Sequence, residues 1–134
     1  MQGLINCAFK PLRLVLLVWT VVCCGCGDGG AQQKLMDDAQ KSVETALDVW
    51  RSGEKPASLL TGPQAIEFFD DDWNRSVKLV DYSVHATYLE TDGTPRCAVD
   101  LVLKTGDKPP ENVRVTYEMA DKDGRLVIAR DPMS

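Results

Sequence analysis

Between Gln32 and Arg51 apolar residues recur at steps of three and four, and from Val80 onward they recur at steps of two. A chain whose hydrophobic period switches once, from 3.6 to 2, reads as one helix followed by strands rather than as alternating helices and strands. Met36, Ala39, Val43, Ala46, Leu47 and Trp50 form the helical stripe, and charged residues fill the other faces, with Asp37 and Lys41 spaced for an i,i+4 pair. Gly53 suits the left-handed residue that ends a helix, and Pro56 prevents continuation.

The strand half divides at its turns. Val80, Tyr82, Val84, Ala86 and Tyr88 alternate with Asp81, Ser83, His85 and Thr87, and Asp92-Gly93 marks a hairpin into Cys97, Val99, Leu101 and Leu103. Gly106 to Pro110 breaks the chain before Val113, Val115, Tyr117 and Met119. Asp121 to Gly124 then turns it into a fourth strand over Leu126 to Arg130. Between the long helix and these strands, Pro63 opens a short predicted helix over Gln64 to Phe69, which Asp70-Asp71-Asp72 close. Phe68, Phe69 and Trp73 are expected in the core. The expected fold is α+β, with a long N-terminal helix packed on a curved antiparallel sheet of about four strands. The face away from the helix would carry Asp81, Ser83, His85, Thr87, Arg96, Asp100, Lys104, Arg114, Thr116 and Glu118.

The residues before this domain have a different logic. Lys10 and Arg13 precede the apolar run Leu14 to Val22, and Cys23-Cys24-Gly25-Cys26 ends it, the order of an export signal. The run is shorter than the roughly 20 apolar residues that span a membrane. Gly25-Cys26 resembles a bacterial lipobox, in which the cysteine after a small residue is lipidated and becomes the new N-terminus. A second frame, with Val21 three residues ahead, points to Cys24. The resemblance implies a signal over residues 1–25, a lipid anchor at Cys26 and a periplasmic or surface location. Gly27-Asp28-Gly29-Gly30 then reads as part of a flexible tether over residues 26–31, with a single domain over 32–134.

Removal of the signal takes Lys10 and Arg13 with it, leaving 13 basic residues against 20 acidic ones. So acidic a domain offers no electrostatic footprint for nucleic acid or for anionic lipid head groups. Of the five cysteines only Cys97 stays free, on the apolar face, which excludes a disulfide framework within one chain.

The element order resembles the NTF2-like and cystatin-like group of α+β rolls. Asp72-Trp73-Asn-Arg-Ser76-Val-Lys-Leu79-Val-Asp-Tyr82 resembles a D-W-x-x-G-x-x-L-x-x-Y segment of small exported bacterial proteins, and Val113 to Tyr117 and Val127 to Asp131 fall where those proteins have their last strands. Ser76 stands where the motif has glycine. The resemblance implies a fold and brings no activity with it.

Motifs for chemistry are sparse. Cys23 to Cys26 matches C-x-x-C, and Gly25 to Gly30 matches G-x-G-x-x-G, but neither lies in the strand and helix context that its chemistry requires. One histidine, His85, cannot make a two-histidine metal site. Its candidate role is a general acid/base pair with Asp100 across the hairpin. Asp70-Asp71-Asp72 are read as turn and cap residues, and Asp121 to Gly124 lacks the ligand series of a calcium loop. No catalytic residue, metal site or cofactor is expected. Trp50, Trp73, Tyr82 and His85 are the candidate ligand-binding residues. Two functions fit: a noncatalytic envelope module that binds a partner protein, and a small-molecule carrier or enzyme with a hollow between helix and sheet. Mass spectrometry of the membrane-associated protein should find an N-terminus at lipid-modified Cys26; an unmodified Met1 would contradict the export reading.

Overall fold

The computed structural model describes residues 27–134; the apolar run and both candidate lipidation cysteines, Cys24 and Cys26, lie outside them. The chain forms α1 (Asp28–Arg51), a 3-10 helix (Pro56–Thr61), β1 (Ile66–Phe69), the short α2 (Asp71–Asn74), and strands β2 (Lys78–Leu89), β3 (Pro95–Lys104), β4 (Glu111–Lys122) and β5 (Arg125–Arg130). The class is α+β, as the switch of period implies.

The sheet has five strands in the order β1-β5-β4-β3-β2 and is mixed rather than antiparallel throughout, because β1 pairs in parallel with β5. The fifth strand lies where the sequence predicts a helix over Gln64 to Phe69. Ile66 and Phe68 are buried there while Phe69 is 48% exposed, a period of two that four residues are too few to separate from a helical turn. Register with Leu126 to Ala129 of β5 supplies the backbone partners that make it a strand.

α1 buries Ala39, Val43, Ala46, Leu47 and Trp50, the stripe its spacing predicts. It begins at Asp28, so the glycine segment expected as tether is helical from that point. Asp37 accepts from Gln33 at 2.8 Å, and Lys34 pairs with Asp38, in place of the expected Asp37–Lys41 pair.

Strand β2 departs most from the simple alternation. Its register with β3 slips between Leu79 and Asp81 and again between Val84 and Ala86, so Val80 and His85 are the extra residues of two bulges. Each bulge shifts the following side chains to the opposite face. Leu79, Tyr82 and Val84 therefore face α1, but beyond the second bulge Thr87 turns inward, and Tyr88, expected inside, is 38% exposed. Val80 is 47% exposed for the same reason. Bulges also bend the strand and disrupt its free edge.

The remaining turns follow local chemistry. Asp123 and Gly124, with φ of 55° and 77°, make the two-residue β4–β5 hairpin, the pair of positive values that a type I′ turn requires. Both helix ends carry the same Schellman closure. At α1 the amides of Gly53 and Glu54 donate to Trp50 and Val49; at α2 those of Ser76 and Val77 donate to Trp73 and Asp72. Gly53 takes the left-handed position at one end and Ser76, φ 65°, takes it at the other. A side chain in that region costs roughly 1–2 kcal/mol, part of which glycine returns through its floppier unfolded chain. Ser76→Gly should therefore raise the unfolding free energy by about 0.5–1 kcal/mol in urea titrations, with the urea dependence unchanged.

Candidate functional site

α1 lies across β2 and β3, while the 3-10 helix packs on β1 at the other margin of the sheet. The flank of α1 that faces this gap carries Ala39, Ser42 and Thr45, side chains too small to reach the opposite wall. An open groove of about 920 Å³ results, within the range of small-molecule sites. Leu35 and Val49 mark its extent on α1, Leu59 and Ile66 line the far side, and Met119 and Leu126 come from the β4–β5 end of the sheet. Charged groups at its margin are Asp38, Lys41, Glu54 and Asp121. Its walls can remove an apolar ligand from water; the described residues lining it include no histidine or cysteine.

The residues singled out in the sequence sit elsewhere. Trp50 and Trp73 are 3% and 5% exposed and stack on each other with ring centroids 5.3 Å apart at an interplanar angle of 6°. Each indole N–H already donates to a backbone carbonyl, Trp50 to Val77 at 2.8 Å and Trp73 to Glu54 at 3.0 Å. Tyr82 fastens β2 to α1: its hydroxyl donates to Asp48 at 2.8 Å, and the Arg51 guanidinium lies 5.3 Å from its ring centroid. Burial, then the Asp48 carboxylate, pushes the Tyr82 phenol up to about 12. His85 is exposed in its bulge and does not line the groove. Both oxygens of Asp100, its expected partner, accept from Arg114 at 2.7 and 2.9 Å, and this pairing holds the carboxyl below its usual range. The structure thus brings Trp50 and Trp73 together within the core and leaves His85 apart from both.

The outer sheet face is polar, yet its charges are largely spoken for. Arg96 meets Glu118 at 2.6 Å, Asp131 at 2.9 Å and Glu90 at 3.4 Å, and Arg125 meets Glu67 at 3.3 Å. A charged partner would have to break these pairs. The groove, by contrast, leaves Leu35 44% exposed and Val49 and Leu126 half-buried, above a floor of buried Ile66 and Met119.

Cys97 is fully buried, and burial raises its thiol pKa. Thr87, turned inward by the second bulge, bridges it to Gln40, donating at 3.1 Å to the amide oxygen and standing 3.6 Å from the sulfur. One buried polar cluster was only partly foreseen. Asp70, 2% exposed, accepts from the amides of Asp72 and Trp73 at 2.8 and 3.3 Å and from the Tyr117 hydroxyl at 2.8 Å. The cap role expected for the aspartate run thus falls to Asp70. Arg130 stands 3.7 Å from Asp70 and 2.6 Å from Asp72, compensating the buried charge. Burial, then the Asp70 charge, pushes the Tyr117 phenol well above its ordinary value, so it remains a donor. A phenol among the apolar residues of β4 was the available sign that a buried acceptor lay opposite.

The groove, unlike these clusters, had no signal in the order of residues, since its walls come from segments separated by many tens of residues. Among the described residues no three His, Cys, Asp or Glu groups are placed to hold a metal ion, and no helix is long and apolar enough to cross a membrane. Comparison with protein-family models, with curated proteins and with solved structures found no match.

The phenol shifts have a stability consequence. An unfolded tyrosine releases its proton near pH 10, whereas folded Tyr82 keeps it to about 12 and Tyr117 beyond its ordinary range too. The folded state then binds more protons above pH 10, so stability should fall as pH rises through that window. Tyr117→Phe should flatten this fall in chemical denaturation at pH 9 to 12, while costing about 1–3 kcal/mol at neutral pH by leaving Asp70 short of a donor.

Proposed function

We propose that the protein is an exported, membrane-tethered and noncatalytic binding module of the cell envelope, whose working surface is the groove between α1 and the β1 margin. The observation that carries this reading is the groove itself, about 920 Å³ of open space with apolar walls. Burying such walls against a ligand is favourable at about 25 cal/mol per Å² of apolar surface. The signal-like N-terminus supports export, and its lipobox resemblance supports anchoring through Cys26, with Cys24 as the second frame.

The long helix on a bent sheet supports an NTF2-like or cystatin-like roll as the fold family. Enzymes on such rolls need an acid, base or nucleophile facing the hollow. The candidates at this groove, Asp38, Lys41, Glu54 and Asp121, are all exposed and Asp38 is already paired with Lys34, so none is withdrawn from water to act on a bound substrate. Binding without chemistry therefore accounts for the lining better than catalysis does.

An uncharged naphthylamine dye should bind Cys26→Ser protein saturably, with rising fluorescence and a higher melting temperature. At a hundred times its Kd the gain is about 2.7 kcal/mol. Ser42→Trp, placed on the half-buried groove wall, should abolish both effects while leaving the core intact. Dye binding that survives this filling, or no binding at all, would remove the groove as the working surface.

A further inference from the structure

The form and placement of the groove narrow its ligand further. On α1 its wall runs from Leu35 to Val49, about 21 Å at 1.5 Å of rise per residue. A membrane leaflet, half of a hydrocarbon core of about 30 Å, is roughly 15 Å deep, so one extended acyl chain fits along the wall. Leu35, Val49, Pro95 and Leu126 offer such a chain exposed or half-buried hydrocarbon, over a buried floor of Ile66 and Met119. Charged groups lie only at the margin, where a ligand's polar end would stay in water.

The end of the chain outside the described residues sets the orientation. Cys26 precedes α1 by one residue, and Leu35, 44% exposed, is the first groove residue along the helix. Seven residues of helical rise from Asp28, and at most about 3.6 Å for each of the two residues before it, put Leu35 within about 18 Å of an anchor at Cys26. An anchored protein thus presents this mouth close to the membrane surface, where phospholipid is at high effective concentration. A chain moving from bilayer to groove keeps part of its apolar surface against protein, which lowers the cost of leaving the bilayer.

We infer that the groove takes a single acyl chain of a phospholipid from the membrane to which the protein is tethered, entering at Leu35 and leaving its head group in water. This inference rests on the groove being the working surface and on the anchor at Cys26.

The test uses the full lipid-modified protein in vesicles of phosphatidylethanolamine and phosphatidylglycerol that include a phosphatidylethanolamine with a diazirine near the end of one acyl chain. After irradiation, mass spectrometry should place adducts on Val49, Pro95 or Leu126, the accessible apolar residues of the groove beyond its mouth. Ser42→Trp and Leu35→Asp should each reduce these adducts about tenfold, the effect of denying the chain roughly two methylene contacts. Circular dichroism and vesicle flotation should show both variants folded and membrane-bound. Adducts confined to the first turns of α1, no adducts, or no association with the vesicles would overturn the inference. So would adducts that appear only in Cys26→Ser protein, the sign that the groove holds its own anchor, or a peptide found crosslinked in the groove. Dye binding without phospholipid adducts would remove the acyl chain alone; loss of dye binding would remove the groove reading beneath it.

Discussion

A carboxylate with no exposure to water holds the two halves of this molecule in register. Asp70 ends β1 and caps α2, and it accepts the Tyr117 hydroxyl from the middle of β4. Without those donors a buried negative charge would cost several kcal/mol; with them it can be satisfied in only one arrangement. Capping α2 sets Trp73, whose ring stacks on Trp50 of α1 and meets Phe68 of β1 edge-on at 5.3 Å. Phe68 in turn lies 5.0 Å from the Tyr117 ring. The long helix, the parallel edge strand and the sheet centre are thereby joined through one polar contact and four aromatic rings.

This junction also explains why the groove stays open. Bulky residues of α1 are drawn towards Trp73 and strands β2 and β3, leaving Ala39, Ser42 and Thr45 towards the gap. The 3-10 helix and β1 are held on its other side by the pairing of β1 with β5. Neither wall can approach further without disturbing the aromatic cluster or the sheet. A cavity bounded in this way is set by the scaffold and does not require its ligand to form, the preorganised condition in which binding loses least to ordering.

Polar surface is arranged differently on the two sides. The outer face closes its charges on one another through Arg96, Arg114 and Arg125, each paired with a carboxylate of a neighbouring strand or of the C-terminal segment. Surface pairs of this kind contribute little stability, but they leave few charges free to recruit a partner. The groove side has the opposite character, with Leu35, Val49 and Leu126 partly accessible above a buried apolar floor and exposed charges beside them. The proposed binding role follows from that contrast rather than from any catalytic constellation.

The sequence by itself determined the long helix, its buried stripe, the hairpin turns at Gly93 and Gly124 and the inward residues of β3 and β4, because each follows from local periodicity or from a backbone that only a few residues accept. It also carried the cap in the aspartate run. It did not determine β1, since four residues of alternating pattern become a strand only when β5 arrives to pair with them. Nor did it determine the faces of β2, where two bulges exchange Thr87 and Tyr88, because a bulge is a misfit between two strands and leaves no mark in one. Trp50 and Trp73, whose spacing favours core over a ligand platform without deciding it, became core when folding stacked them and gave each N–H a carbonyl. Tertiary structure alone decided the groove, because a hollow is defined by what fails to meet across space, and exposed Leu35 has no relation to buried Ile66 and Met119 until the fold sets them around one hollow.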